Sequence, residues 1–166
     1  MKTVIVYYSL TGNTAWAAAR LARELDADML ELKPRKAYPD RGFRMFFRGG
    51  KSAISGEQPA LEPYDFDAGA FDCVILVTPL WAGRISPPLR SFLASHGGEL
   101  AGKRLGAVIC CSGGKDKKAF EQIRTLAGNE PAARLRLVNP KDRPDPANEV
   151  RMAHFADSLR DKEALS

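Results

Sequence analysis

Three near-continuous apolar runs, Thr3–Tyr8, Asp72–Thr78 and Leu105–Cys111, constrain this 166-residue chain more than any other feature. A strand that is apolar on both sides must be covered on both faces, which marks the central strands of a parallel sheet. Two other segments alternate instead. Leu30 and Leu32 in Met29–Lys33, and Leu135 and Leu137 in Arg134–Val138, would face a core while their neighbours face water, as edge strands do. Helical patterns fill the gaps at about Thr14–Leu25, Pro87–Ser95, Lys117–Ala127 and Asn148–Asp161. Ala18, Leu21, Ala22 and Leu25 share one helical face, as do Met152, Phe155, Ala156 and Leu159. Pro87 and Pro88 suit a helix start, where a missing N–H costs nothing. Strands alternating with helices predict a parallel sheet with helices on both faces and right-handed crossovers.

The turn after the first run is Ser9-Leu10-Thr11-Gly12-Asn13-Thr14. A strand-to-helix turn of this composition aims backbone N–H groups and hydroxyls along the positive end of a helix dipole. Such a turn can grip a phosphate with no lysine or arginine in it. Gly12 permits the torsions and close approach that wrapping an anion requires, and Ser9, Thr11 and Thr14 offer hydroxyl donors. The turn is neither the GxGxxG fingerprint nor a P-loop, so a nucleoside triphosphate is disfavoured. The plainer alternative is a turn in which Thr or Asn caps a helix.

Tyr8-Ser9-Leu10-Thr11-Gly12-Asn13-Thr14 resembles the FMN phosphate loop of flavodoxins, Ser/Thr-x-Thr-Gly-Asn-Thr, at every defining position and near the N-terminus, where flavodoxins carry it. Thr78-Pro79-Leu80-Trp81-Ala82-Gly83 resembles the family's loop after the third strand, which lies against the flavin ring. Cys111-Ser112-Gly113-Gly114 resembles the loop after the fourth, at the ring's other edge. The resemblance covers nearly the whole chain. It implies an α/β fold in three layers: a doubly wound, five-stranded parallel sheet, flavodoxin-like, in the order 2-1-3-4-5. The alternating second and fifth strands agree with that order by falling at its edges. All three loops would then open on the carboxyl edge of the sheet, where such folds bind ligands.

Trp81 would stack on the ring from a short loop between Pro79 and Gly83, or else serve as a lid over the sheet edge. Gly83, Gly113 and Gly114 would let backbone amides approach the flavin. Arg84, with Lys115, either places positive charge near the ring, favouring two-electron reduction, or points to solvent. Trp16, Tyr7 and Tyr8 read as packing residues. The two histidines, His96 and His154, lie away from the three loops and take no catalytic role.

Composition bounds the rest. A chain of this length, 45% hydrophobic and 27% charged, reads as one domain over residues 1–166. No apolar run spans a membrane and no signal-peptide pattern opens the chain, so the cytoplasm is the expected location. Cys73, Cys110 and Cys111 show no metal-ligand spacing; the first two read as core, and Cys111 sits at the mouth of the expected flavin site. The net charge of +5 does not suit a carrier that docks through an acidic face. The basic clusters carry no nucleic-acid motif and read as a solvated surface.

Between the second and third strands, Pro34–Asp67 holds four prolines and the aromatic cluster Phe43, Phe46 and Phe47. A short helix near Arg41–Ile54 and a loop to Tyr64 are expected, with the phenylalanines covering a sheet face. Gly49-Gly50-Lys51-Ser52 superficially looks like a P-loop ending, but no strand precedes it. The leading expectation is an FMN-binding redox protein, an NAD(P)H- or quinone-linked reductase that serves a redox partner or small acceptor. The alternatives are a one-electron carrier without turnover of its own, or a partner-binding module that has lost FMN. Reductases resembling this chain often form homodimers, and the Phe-rich segment would suit such an interface.

Overall fold

The computed structural model describes residues 1–160. In chain order the elements are β1 (Thr3–Tyr7), α1 (Asn13–Leu25), β2 (Asp28–Glu31), α2 (Gly42–Ser55), β3 (Cys73–Trp81), β4 (Arg84–Ile85), α3 (Pro87–His96), β5 (Arg104–Cys111), α4 (Lys117–Ala127), β6 (Ala133–Val138) and α5 (Ala147–Arg160). The expected end of the last helix, Asp161, lies outside the described residues. Five parallel strands run in the order β2-β1-β3-β5-β6, which is the expected 2-1-3-4-5 sheet; the short β4 pairs antiparallel with the end of β3.

The three apolar runs are the central strands, and parity divides their side chains between two cores. Val4, Val74 and Leu105 lie in register across β1, β3 and β5. With Val6, Leu76 and Ile109 they pack against Leu89 and Phe92 of α3 and Ile123 of α4. The alternate residues Ile5, Ile75, Val77 and Val108 pack on the other face against Ala17 and Leu21 of α1 and Phe155 and Leu159 of α5. Both-sided burial is why these strands read as unbroken apolar runs. Gly106 is fitted to this second layer: a Cβ there would lie 2.9 Å from Phe155 and 3.1 Å from Leu159. Its bare backbone lets α5 settle on the sheet.

Two expectations are corrected. Residues 78–81 are not a loop; β3 continues through Trp81 and turns back into β4. Ala82 and Gly83 both have positive φ, 49° and 75°, which is the torsion pattern of a two-residue type I′ hairpin. The phenylalanines of α2 cover no sheet face. The helix buries its small residues Gly49, Ser52 and Ala53, and leaves Phe43, Phe46 and Phe47 exposed.

Candidate functional site

The chain leaves β1 toward β2 on one side, while β3 pairs with β1 on the other, so the connections after β1 and β3 diverge and open a crevice at the carboxyl edge. A cavity of about 620 Å³ lies there. Its wall combines the turn after β1, the β3–β4 hairpin, the loop after β5, the loop after β6 and one side of α2.

Gly12 caps α1 in a left-handed conformation, φ 98°, and its N–H donates to Ser9 Oγ at 3.2 Å. Ser9 therefore holds the turn, and its own hydroxyl proton is free of that bond. Leu10, Thr11, Asn13 and Thr14 face the cavity, whereas Ser9 and Gly12 lie behind them. The first N–H groups of α1 have no intrahelical acceptor, which leaves donors for an anion at this end.

Asn13 does something that composition does not disclose. Its Oδ1 accepts from the Lys141 N–H at 2.9 Å and the Asp142 N–H at 3.4 Å, and its Nδ2 donates to Asp142 Oδ2 at 2.8 Å. One buried amide thus staples the loop after β6 onto the turn after β1. The staple brings Lys141 over Gly12, where a Cβ would lie 2.9 Å from Lys141 Nζ. Asn139 and Asp142 enter the cavity wall on the same loop. The turn after β1 itself has no cation, but the fold delivers one from far along the chain.

Pro79, Leu80, Trp81, Ala82 and Gly83 line the opposite side, with Ser112, Gly113 and Gly114 beside them. Thr78 does not reach the cavity. It is fully buried in the hairpin, its Oγ1 accepting the Ser86 N–H at 3.1 Å and lying 2.9 Å from Ser86 Oγ. Trp81 is half-buried and held edge-on by Tyr8 and Tyr38, with ring centroids 5.7 and 5.1 Å away. Behind it, a Cβ on Gly49 would stand 3.2 Å from the indole, so the Gly49-Gly50 pair lets α2 pack directly on Trp81. These glycines serve close packing, not phosphate. Met45, Phe46 and Gly50 complete this wall; a helix whose large side chains point away from the core gave no sequence signal for that role.

The family model for NADPH-dependent FMN reductases matches residues 1–133. The chain belongs to that family. Its flavin is FMN, and the free donors at the start of α1, the left-handed Gly12 and the overlying Lys141 fit a flavin phosphate. No curated protein sequence matches the chain. Among solved structures, a flavoprotein of Bacteroides eggerthii DSM 20697 is 20% identical, with 96% of this chain and 98% of that one covered and a TM-score of 0.74. A flavoprotein of Lactobacillus acidophilus NCFM, solved in complex with FMN, is 20% identical over 81% of this chain and 92% of its own, with a TM-score of 0.71. A flavodoxin of Streptococcus pneumoniae TIGR4 is 19% identical over 98% and 99%, with a TM-score of 0.60. These likenesses establish the flavodoxin-like fold.

In this FMN reductase family member, Arg84 is not part of the cavity wall: its Nη1 donates to the Ala82 carbonyl at 3.1 Å. Burial, with Arg84 nearby, lowers the pKa of Arg90. Lys115 is exposed, and its carbonyl packs against Gly83, so the hairpin and the loop after β5 touch. His96 lies among Tyr64, Phe66 and Phe92, its Nε2 3.0 Å from Tyr64 Oη, far from this edge. Among the described residues no group of three or more His, Cys, Asp or Glu is arranged to hold a metal, and no helix is long and apolar enough to cross a membrane.

Cys110 and Cys111 both reach the cavity wall, and Cys73 is buried in the second core. Burial pushes the Cys110 thiol from 9.0 up to about 12 and Cys73 up to about 11. Burial likewise raises Tyr38 to about 12. These groups stay protonated in the folded chain while the unfolded chain ionises, so the unfolded state binds fewer protons and stability falls as pH rises. Urea midpoints are expected to hold up to about pH 8 and to drop steadily above about pH 9. A midpoint that stays flat through the alkaline range would contradict this burial.

Proposed function

We propose that the chain is an NADPH-linked reductase that holds FMN non-covalently in the carboxyl-edge cavity and passes electrons to a small acceptor or a soluble redox partner. The observation that carries this reading is the convergence of four loops from separate parts of the chain on one cavity at the switch point, the first being a phosphate turn. Bound FMN supplies the redox chemistry. The protein's part is to hold and orient it. Thr11, Thr14 and the free N–H groups of α1 take the phosphate, with Lys141 above them. Pro79–Gly83 and Ser112–Gly114 bracket the ring, and Trp81, fixed by Tyr8, Tyr38 and Gly49, forms a rigid wall beside it. Backbone amides of the glycine loops orient the flavin's polar edge.

Binding separates the phosphate site from the ring site. Titration of FMN and riboflavin into the flavin-free protein, followed by flavin fluorescence, should show FMN binding far more tightly. Lys141→Met should weaken FMN by about tenfold, the scale of one charge-assisted hydrogen bond, and leave riboflavin unchanged. Equal weakening of both ligands would place Lys141 outside the phosphate site. Equal affinity of the wild-type chain for both would remove the phosphate turn from the reading altogether.

A further inference from the structure

Helix α2 is built the wrong way round for a helix that only covers a sheet. Its buried residues are the small Gly49, Ser52 and Ala53, while Phe43, Phe46, Phe47 and Ile54 are 80%, 69%, 63% and 60% exposed. At 3.6 residues per turn Phe43, Phe47 and Ile54 fall on one line, with Phe46 on its flank toward the cavity. Arg44, Lys51 and Arg48 fall on the other flank. The helix thus carries three stripes in order around its axis: small and buried, large and apolar, and basic. The helix itself carries no acidic residue; Lys36 joins Phe43, Arg44 and Phe47 around an adjoining groove that Glu57, paired with Arg48 at 3.4 Å, also lines. Phe43 and Phe47 stack on each other with ring centroids 5.9 Å apart, forming a ridge.

Folding does not account for this ridge, because the helix makes its packing contacts with other residues. An exposed apolar ridge of this kind marks an interaction surface. Its border of cations selects an anionic occupant. A second copy of the chain, docked ridge to ridge with the two helices antiparallel, would bring two basic stripes side by side. An acidic protein would need a preformed groove for four large side chains, and a nucleic acid would leave the ridge in water. A bilayer accepts a ridge without any groove. An apolar stripe beside a Lys/Arg stripe is the arrangement of helices that lie in a membrane interface.

We propose that α2 docks the chain reversibly on an anionic membrane surface, with Phe43, Phe47 and Ile54 entering the headgroup–acyl boundary and Arg44 and Lys51 meeting lipid phosphates. The docking itself does not depend on the catalytic reading. Its consequence does: Phe46 and Gly50 of the same helix line the cavity, so docking brings the cavity wall to the bilayer, where lipid-soluble acceptors reside.

The test is sedimentation of the full FMN-loaded chain with vesicles of phosphatidylcholine alone, and of phosphatidylcholine mixed with phosphatidylglycerol, at low and high salt. Binding is expected to the mixed vesicles only, and to weaken with salt. The double variants Phe43→Ser/Phe47→Ser and Arg44→Glu/Lys51→Glu should each lose binding by about tenfold or more. None of these four side chains lines the cavity, so the flavin spectrum and the melting temperature should not move. Failure to sediment with anionic vesicles at low salt would overturn the proposal. So would undiminished binding by the Phe-to-Ser variant, or a dimer in light scattering that Phe43→Ser/Phe47→Ser dissolves.

Discussion

Asn13→Ala is expected to lower stability by about 2 kcal/mol and to weaken FMN by about tenfold or more, because it releases a whole loop. The lost amide leaves the Lys141 and Asp142 N–H groups and the Asp142 carboxylate without their partner. Unmade bonds of partly buried groups cost about 1–3 kcal/mol each, and water recovers some of that where the loop is exposed. For a chain of this size the melting temperature should fall by about 4–8 °C. The FMN effect follows from geometry: without the staple the loop keeps the Asn139 N–H bond to the Cys111 carbonyl at its start but loses its tie to the turn, and Lys141 is no longer fixed over Gly12. Calorimetry and flavin titration on the same sample check both parts. A variant that melts lower yet binds FMN as before would show that the loop after β6 serves the fold alone. Asn13→Asp keeps one acceptor but faces Asp142 with a like charge, so it should not rescue.

Gly97→Ala is expected to be the most destabilising single methyl in the protein, costing about 3 kcal/mol or more. Its torsions are not the reason; φ −54° and ψ −41° suit any residue. The reason is contact. A Cβ on Gly97 would stand 2.0 Å from the Leu126 carbonyl oxygen and 3.0 Å from its carbon. Backbone cannot swing aside as a side chain can, so α3 and α4 would have to part where both enter the core with Phe92 and Ile123. A fall in melting temperature of about 6–12 °C is the expected reading. FMN affinity of the folded fraction should be nearly unchanged, since the site lies at the opposite end of the strands. An unaltered melting curve would contradict the close approach of the two helices.

The legible part of this protein was whatever short-range pattern encodes. Burial on both faces wrote β1, β3 and β5 as apolar runs, and Leu135 and Leu137 marked β6 by alternation. The turn that opens α1 at the cavity was readable because a strand, a glycine and hydroxyls stand contiguous there. The loop expected over residues 78–81 came from the family resemblance; the strand runs on through Pro79, whose missing N–H is tolerated because it lies at the end of the β5 pairing, opposite Cys110. Lys141 was invisible because its role depends on Asn13, 128 residues away. The phenylalanines of α2 were read as core because large apolar residues usually are. Only the packed structure shows that glycine, serine and alanine took that place, which the tight approach to Trp81 demands.

The most direct measurement is an anaerobic titration of the FMN-loaded protein with NADPH, followed by dithionite, watched in the visible spectrum. NADPH alone should bleach the flavin in a single step. A flavin that ignores NADPH and responds only to dithionite would contradict the reductase reading and leave a carrier. A protein that holds no FMN at all would contradict the site itself.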